Sequence, residues 1–431
     1  MNNNGTFFLW FITVVASVML FSCNNRFTST LFKSKSPHQQ YEQRLKDAGL
    51  EGSTLFNQWI SSSDRSLQQP LTISIPYLEK AYFAGDKPEA AGFIFEARNG
   101  EQLQIKLTLQ TLDSARMFID LFEAAQDTNT QYKNLFAADT GDTSLVYDIS
   151  DNGKYILRIQ PELLSNISYE LTITAEPSLA TPVGSAAKPN IGSFFGDGRD
   201  AGIRKHEGID IFAKRLTPAV AAANGIISNV GTNNLGGKVV FLKPEGRPIN
   251  LYYAHLDSQL VTTGQSVVLG DTIGLIGNTG NARTTPPHLH FGIYTPKGAV
   301  DPLPFVRPGK STPSKIIADI KQIGDTVRAT VRKDNLYNTP LVIEAASQNG
   351  YRVILPNKNK TFILQSQVAS LSQPLKTITL NQPKLVFTDP DQFSSSIIDY
   401  PIGAKLVVIG EYSDFYLIKR GSIKGWILQR P

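Results

Sequence analysis

The sequence predicts a mainly β protein built from several domains. Residues 67–178 contain successive runs in which apolar and polar residues alternate, broken by the turn sequences RNGE and DNGK. Two more β-rich stretches cover residues 320–372 and 373–431. The chain has 431 residues, which is too long for one compact hydrophobic core. We therefore expect an antiparallel β-sandwich at 67–178 and separate β units toward the C-terminus.

The composition is that of a folded protein with a mild excess of positive charge. Charged residues make up 18% of the chain, hydrophobic residues make up 41%, and the formal net charge is +5. This charge suits an anionic surface or polymer. No run of Lys and Arg with interleaved aromatic residues occurs, so we expect no nucleic-acid partner.

The N-terminus has the features of an export signal. Residues 7–21 form an apolar stretch that is shorter than the roughly 20 residues of a membrane-spanning helix and typical of a signal-peptide core. The stretch runs into Leu20-Phe21-Ser22-Cys23, which resembles a bacterial lipobox, and Cys23 is the only cysteine in the chain. This resemblance implies a signal peptide at 1–22 and lipidation of Cys23.

The alternative for this segment is an uncleaved membrane anchor, because no Lys or Arg precedes the apolar stretch. Either interpretation places the rest of the chain outside the cytoplasm. A single cysteine also excludes an internal disulfide framework and a zinc site made of thiolates.

Residues 23–66 are expected to form a polar tether followed by short helices. The tether is rich in Ser, Thr and Lys, and we expect His38 to be exposed in it. Helical patterns follow in YEQRLKDAGL and STLFNQWISSSDRSL, with Ser53 as a candidate N-cap. The composition of residues 177–189 predicts a linker after the β-sandwich.

The last part of the chain resembles a known wall-binding fold. AKLVVIGEYSDFYLIKRGSIKGWIL, within residues 373–431, contains a strand, a polar turn, a second strand and a Gly-Trp pair. This order resembles the bacterial SH3-like barrel. Residues 320–372 form a looser copy that lacks the Gly-Trp pair. The alternative is that both stretches are ordinary β-barrels that pack on the rest of the protein.

Four of the five histidines lie within residues 190–308, namely His206, His255, His288 and His290. In RKHEGIDIF, Gly208 and the β-branched residues disfavour a helix, so a tight turn is expected to fold His206 back onto Asp210. In HLHF, two histidines two positions apart on a strand share one face, about 6.6 Å apart. Nitrogen and carboxylate ligands without cysteine suit Zn²⁺.

The spacing alone leaves three kinds of histidine cluster open. Three protein ligands with an open position form a catalytic zinc site, whereas four ligands close it. A closed structural site would use His206, Asp210, His288 and His290. The remaining alternative is a set of hydrogen-bonded histidines in the core, and sequence spacing does not decide whether His288 is a ligand.

The motifs in this region point to a particular family. HEGIDIFA, NLYYAHLD, GQSVVLGDTIGLIGNTG and PHLHF occur in this order over about 110 residues and resemble the lysostaphin/LytM-type zinc metalloendopeptidases of bacterial cell walls. The resemblance implies zinc ligands His206, Asp210 and His290, and catalytic histidines His255 and His288. It also implies an antiparallel β-sandwich of the duplicated-hybrid-motif type with its site in a groove.

Two departures from the family pattern affect the expected groove wall. The loop NARTTPP before PHLHF is about two residues longer than the family's, and Gly292 stands where the family often has Glu. We therefore expect substrate preference to differ more than activity. Tyr252 or Tyr253 is a further candidate for contributing a hydroxyl.

The function implied is hydrolysis of peptide cross-links in peptidoglycan by a lipid-anchored protein of the cell envelope, facing the periplasm or the exterior. One of His255 and His288 would take a proton from water, and the other would steady the carbonyl oxygen. The alternatives are a non-catalytic regulator of other wall hydrolases and a wall-binding surface lipoprotein. The complete ligand set argues against the regulator.

Overall fold

The computed structural model describes residues 35–110, 115–124, 132–184, 190–199, 202–307, 312–332 and 335–429. The expected signal peptide, Cys23 and most of the expected tether lie outside these residues. Within them, no helix has the length and apolar character needed to cross a membrane. The predicted mainly β fold class is confirmed, with sheets that are almost entirely antiparallel.

Two helices open the described chain, as their sequence patterns predict. Helix α1 (Pro37–Asp47) follows the N-cap residue Ser36, whose side chain accepts a hydrogen bond from the Gln39 amide. Helix α2 (Thr54–Gln68) begins after Ser53, which accepts from the amide of Phe56, so the predicted N-cap is confirmed. The buried face of α2 carries Trp59, whose Nε1 donates to the Pro161 carbonyl at 2.9 Å.

His38 is buried, and the expectation that it lies exposed in a tether is wrong. It sits on the inner face of α1 with only 3% of its surface exposed. Its ring stacks on Trp59 with centroids 4.4 Å apart, and Nε2 lies 2.6 Å from Gln160 Oε1. Burial, aided by the nearby Arg158 charge, lowers the pKa of His38 to about 4. The neutral ring therefore anchors α1 to the β-sandwich behind it.

The β-sandwich expected at 67–178 is present. Its strands are β1 (Leu71–Thr72), β2 (Tyr77–Phe83), β3 (Ala91–Ala97), β4 (Glu101–Gln110), β5 (Met117–Glu123), β6 (Lys133–Ala137), β7 (Ser144–Asp148), β8 (Gly153–Pro161) and β9 (Ile167–Pro177). One sheet has the order β1-β3-β8-β5-β6, and β2, β9, β4 and β7 are neighbours in the other. Phe93 and Leu157 of the first sheet pack with Leu103 and Leu171 of the second in a common core. Each such buried side chain contributes about 1.5–3 kcal/mol.

The region that carries the histidine motifs is a second, separate β unit. Its elements are β10 (Asn190–Ser193), β11 (Gly198–Arg199), β12 (Arg204–Lys205), β13 (Ile209–Phe212), β14 (Pro218–Val220), β15 (Gly225–Asn233), β16 (Gly237–Pro244), β17 (Asn250–Gln259), β18 (Ser266–Val267), β19 (Thr272–Ile276), β20 (His288–Thr295), β21 (Gly298–Val300) and the short helix α3 (Leu303–Val306). The main sheet has the order β10-β13-β20-β17-β16-β15-β18. Its core face carries Ile211, Tyr253 and Leu289, which leaves the opposite face of β13 and β20 for polar side chains.

The C-terminal part consists of two further groups of strands. The first group is β22 (Thr326–Ala329), β23 (Pro340–Ser347), β24 (Gly350–Ile354), β25 (Lys360–Leu364) and β26 (Val368–Ser370). The second is β27 (Lys376–Thr379), β28 (Lys384–Phe387), β29 (Ser396–Tyr400), β30 (Lys405–Tyr412), β31 (Phe415–Arg420) and β32 (Ile423–Leu428). The second group forms a sheet of order β27-β30-β31-β32-β28-β29.

The SH3-like barrels expected at 320–372 and 373–431 do not appear as closed barrels among the described residues. In the first group, β23 pairs antiparallel with β2 of the N-terminal sandwich, matching Glu79 with Ser347 and Ala81 with Ala345. The resulting sheet runs β25-β24-β23-β2-β9-β4-β7. Because part of one edge of β23 is hydrogen-bonded to β2, the sheet continues into the N-terminal unit instead of closing into a barrel. In the second group, the described end strands β27 and β29 are not paired with each other.

A buried ionic network crosses this seam between β2 and the C-terminal strands. Arg352 on β24 donates from Nε and Nη2 to the two carboxylate oxygens of Glu79 at 3.2 and 3.1 Å, and from Nη1 to Glu344 at 2.9 Å. Tyr77 and Tyr169 donate their hydroxyls to the same Glu79 carboxylate. Glu79 is fully buried and Arg352 is 2% exposed. The seam therefore joins segments that lie far apart in sequence.

Replacing Arg352 with Met should destabilise the unit formed across the seam by about 3–5 kcal/mol, because it leaves Glu79 as a buried charge without its cation. Urea unfolding followed by tryptophan fluorescence measures the effect. Lys133→Met is the matched control, since Lys133 pairs with Glu123 at the surface and should cost less than about 1 kcal/mol. Equal shifts for the two variants would contradict the importance of the network.

Candidate active site

The register between β13 and β20 brings the first two polar groups of the site together. Asp210 lies directly opposite His290, while their neighbours Ile211 and Leu289 form the next pair and point into the core. Phe212 pairs with His288, and their rings lie 5.0 Å apart between centroids. His288, His290 and Asp210 therefore share the face of the sheet that the core does not use.

His206 joins them from the segment before β13, as the predicted turn requires. Its Nδ1 lies 2.8 Å from the Phe194 carbonyl, which can only accept, so Nδ1 carries the proton. Nε2 then faces the site, 3.0 Å from Asp210 Oδ1 and 2.9 Å from His290 Nδ1. His290 Nδ1 is also 3.0 Å from Asp210 Oδ1. Two nitrogens and one oxygen thus converge on one point.

This convergence requires a glycine at position 208, because the space beside Gly208 cannot hold a side chain. A Cβ atom at this position would lie 2.5 Å from the Phe291 carbonyl oxygen and 2.8 Å from Cε1 and Nε2 of His290. Both distances are shorter than a carbon atom tolerates, and the carbonyl is part of a paired strand. The glycine therefore lets the turn that carries His206 approach β20 closely.

These three residues fit a divalent metal ion. His206 Nε2, Asp210 Oδ1 and His290 Nδ1 all lie within 4.8 Å of one another, and they form a possible metal site. Burial by itself raises the pKa of Asp210, but hydrogen bonds with His206 and His290 outweigh it and hold the pKa well below its usual value. Lone pairs crowded this closely repel one another unless protons or a cation lie between them. One cation satisfies all three, and the imidazole and carboxylate donors suit zinc.

His288 stands slightly apart from the three converging donors. Its Nε2 lies 3.9 Å from Asp210 Oδ1, compared with 3.0 Å for the nitrogens of His206 and His290. Its Nδ1 lies 2.8 Å from the Pro286 carbonyl, so the proton is on Nδ1 and Nε2 faces the cluster. Three close donors with a fourth side chain nearby favour an open site over the closed four-ligand site.

His255 reaches the site through a backbone irregularity that strand alternation does not predict. Tyr253 faces the core, so a regular strand would turn His255 toward the core as well. His255 instead has a φ of 61°, the register with β16 shifts between Tyr253 and Leu256, and Leu256 takes the next core position. A left-handed conformation costs a residue with a side chain about 1–3 kcal/mol. The gain is a fourth imidazole at the site, 4.9 Å from His288 between ring centroids.

Backbone groups hold the His255 ring in a defined protonation state. Its Nδ1 lies 2.9 Å from the Thr279 carbonyl, so Nδ1 carries the proton and Nε2 is free. Burial first, and then the neighbouring His288 and His290, lower the pKa of His255 to about 4. The ring is therefore neutral at pH 7, and its free nitrogen is able to accept a proton.

Only one of the two candidate tyrosines lies at the site. The ring of Tyr252 is 5.8 Å from that of His290 between centroids, and its hydroxyl accepts from Asn233 Nδ2 at 3.3 Å. Tyr253 is fully buried in the core, where its hydroxyl accepts from the Ala222 amide. Packing therefore accounts for Tyr253.

Sequence reasoning did not find Arg199, which contacts the second oxygen of Asp210. Arg199 Nη2 donates to Asp210 Oδ2 at 2.8 Å and to Ser193 Oγ at 2.6 Å. Arg199 and Asp210 are eleven positions apart on different strands, β11 and β13. No periodic pattern links such positions, so the sequence alone carried no signal for this contact.

The arrangement has the parts that a metal-dependent hydrolase uses: a possible His-Asp-His metal site on a β-sheet, with two further imidazoles beside it. Residues 204–302 match the family model described as peptidase family M23. The chain therefore contains a peptidase family M23 domain, and the family resemblance drawn from the motifs is confirmed.

Several known proteins are similar to this domain. The chain is 35% identical over 127 residues to the L-Ala–D-Glu endopeptidase of Bacillus subtilis, covering 27% of this chain and 39% of that protein. It is 39% identical over 89 residues to the peptidoglycan DD-endopeptidase ShyC of Vibrio cholerae, covering 21% and 20%. Among solved structures, it resembles the catalytic domain of the antimicrobial peptidase lysostaphin from Staphylococcus simulans, with 32% identity, coverage of 28% and 92%, and a TM-score of 0.25. The chain spans between a fifth and two fifths of the length of these curated relatives.

Replacing Gly208 with Ala should disrupt the donor cluster, because the added methyl group meets the Phe291 carbonyl and the His290 ring. We expect a marked loss of zinc bound per chain after equilibration with zinc, measured by elemental analysis. Gly231→Ala is the control, since a Cβ there meets nothing closer than 3.7 Å. Undiminished zinc in Gly208→Ala would show that the close approach is not needed.

Proposed function

We propose that this protein is a zinc-dependent endopeptidase that hydrolyses peptide cross-links in bacterial peptidoglycan. The observation that carries the proposal is the convergence of His206, Asp210 and His290, with His255 and His288 presenting free Nε2 atoms beside them. The relatives add support, because two of them are named as endopeptidases and one of these as a peptidoglycan endopeptidase.

In this proposal His206, Asp210 and His290 hold the zinc ion. When bound, zinc supplies Lewis acidity, which acidifies water and polarises a carbonyl oxygen. The protein supplies the proton transfers. His255 and His288 each have Nδ1–H tied to a backbone carbonyl, so Nε2 is the ring nitrogen through which each can exchange a proton.

Either ring can therefore act first as the general base and then, once protonated, as a hydrogen-bond donor or general acid. The ring that takes a proton from the attacking water becomes a cation and then serves as a hydrogen-bond donor. That donor can stabilise negative charge on the scissile carbonyl oxygen or protonate the leaving amine. Their carbonyl anchors fix both rings in the required orientation without further side chains.

The rest of the chain is proposed to deliver this domain to the cell wall. The proposed divisions are a signal peptide at 1–22, a tether with short helices at 23–66, the N-terminal sandwich at 67–178, the peptidase domain at 190–308, and wall-binding units at 320–372 and 373–431. A lipid on Cys23 would anchor the protein to a membrane of the envelope, where peptidoglycan is within reach.

A non-catalytic regulator of other wall hydrolases is the second candidate. It would need no metal and no proton-accepting histidines. The intact donor set and the strained conformation of His255 weigh against it, because strain of this kind persists at functional sites.

Replacing each of the two histidines of HLHF should have a different effect on zinc binding and on activity. His290→Ala removes a converging donor, so zinc affinity and activity should fall together. His288→Ala should keep zinc on His206, Asp210 and His290 but lower peptidoglycan cleavage by about 10²–10⁴-fold, the usual effect of losing a general acid or base. His255→Ala should behave like His288→Ala.

These variants are compared by zinc content per chain and by cleavage rate on purified peptidoglycan. Wild-type protein stripped with a chelator should lose activity and regain it on adding zinc. If His288→Ala loses zinc as completely as His290→Ala, both imidazoles bind the ion and the site is closed. If the zinc-loaded wild type cleaves no peptidoglycan, the proposal of a hydrolase fails.

Lipidation predicts a specific modification of the mature chain. Mass spectrometry of the membrane-bound protein should find a lipid-modified Cys23 at the N-terminus. Cys23→Ser should release the protein from membranes or leave it as an uncleaved precursor, whereas Ser29→Ala in the same segment should change neither. A mature protein with an unmodified Cys23 would overturn the lipid anchor.

A further inference from the structure

The two oxygens of Asp210 have different partners. Oδ1 faces the donor cluster, 3.0 Å from nitrogens of both His206 and His290. Oδ2 faces away from it and accepts from Arg199 Nη2 at 2.8 Å. A carboxylate is free to rotate about its last bond, so this charged hydrogen bond selects which oxygen faces the cluster.

Arg199 is itself held in place by neighbouring polar groups. Its Nη2 also donates to Ser193 Oγ at 2.6 Å, and Ser193 Oγ donates to Asp197 Oδ2 at 3.0 Å. Asp197 Oδ2 further accepts from the Phe194 amide at 2.8 Å. The guanidinium is therefore part of a hydrogen-bonded chain and does not hang freely from the surface.

The same segment, residues 193–199, also orients His206. The Phe194 carbonyl accepts from His206 Nδ1, and the Asp197 carbonyl accepts from the His206 amide at 2.8 Å. The Gly196 amide donates back to the His206 carbonyl at 2.8 Å. One short segment thus fixes both His206, through a backbone carbonyl, and Asp210, through an arginine.

We propose that Arg199 is a positioning residue that makes Asp210 bind the metal through Oδ1 alone. This inference rests on the proposed zinc site. By occupying Oδ2, Arg199 keeps Asp210 from rotating and from offering both oxygens to the ion. That preserves an open coordination position for water. The hydrogen bonds described for Arg199 reach Asp210 and Ser193, and none of them reaches His206, His255, His288 or His290, so its direct effect on the site passes through Asp210.

Electrostatics and positioning predict opposite results when Arg199 is removed. A positive charge near a cation weakens its binding, so loss of the charge alone would tighten zinc binding. Loss of an outer hydrogen bond to a ligand typically costs 10–100-fold in metal affinity or activity. The sign of the change therefore distinguishes the two roles.

The experiment uses the full mature chain and measures the zinc dissociation constant by competition with a chelator. Arg199→Met removes both the charge and the donors at similar length, and we expect zinc affinity to fall 10–100-fold. Arg199→Lys keeps a donor and the charge, and it should recover much of the loss. Lys297→Met removes one charge from the exposed β20–β21 turn and should leave the affinity unchanged.

Two further readouts separate positioning from a general structural role. The thermal midpoints of the metal-free proteins should agree between wild type and Arg199→Met, since a merely structural role would lower the variant's midpoint. In cobalt-substituted protein, the visible absorption of Arg199→Met should shift because the coordination by Asp210 changes. An unchanged spectrum, or zinc binding equal to or tighter than wild type, would overturn the proposal. Failure of wild-type protein to bind zinc would instead refute the proposed function.

Discussion

The antiparallel pairing of β13 with β20 is the constraint on which the site depends. It places Asp210 opposite His290 and sends Ile211 and Leu289 into the core on the other face. A slip of one residue would exchange the two faces of a strand, burying the polar groups and exposing the apolar ones. The free energy of burying that core therefore also fixes the register of Asp210 and His290 in the possible metal site. Stability and site geometry come from the same pairing.

Around this pairing, backbone groups orient most of the histidine side chains of the site. Carbonyls of Phe194, Thr279 and Pro286 each hold Nδ1–H of one histidine, so each ring has Nε2 available for the site, and that of His206 lies 3.0 Å from Asp210 Oδ1. Gly208 lets the turn that carries His206 approach β20 closely. The left-handed backbone at His255 turns one more imidazole toward the other three histidines. Such a site tolerates little movement of the strands, because its orienting groups belong to them.

The peptidase domain lies in sequence between two segments that share one sheet. Strand β2 precedes the domain and β23 follows it, yet the two are paired and are joined by the buried Glu79–Arg352 contact. The segments on either side of the domain therefore share one continuous sheet, and both ends of the domain connect to it. The domain also touches this body directly, since Arg247 Nη2 donates to Asp148 Oδ2 at 3.0 Å.

The sequence by itself determined the local features: the alternating runs of the sandwich, the Ser53 cap, the turn at Gly208, and the shared face of His288 and His290. These follow from spacing and propensity along a few consecutive residues. The tertiary structure alone decided the rest. His38 is buried because α1 packs on the sandwich, β23 joins β2 instead of closing a barrel, and Arg199 meets Asp210 across strands. His255 turns to the site only because its register shifts. Each of these outcomes depends on partners far away in the chain, and contacts between distant segments leave no periodic trace in a single sequence.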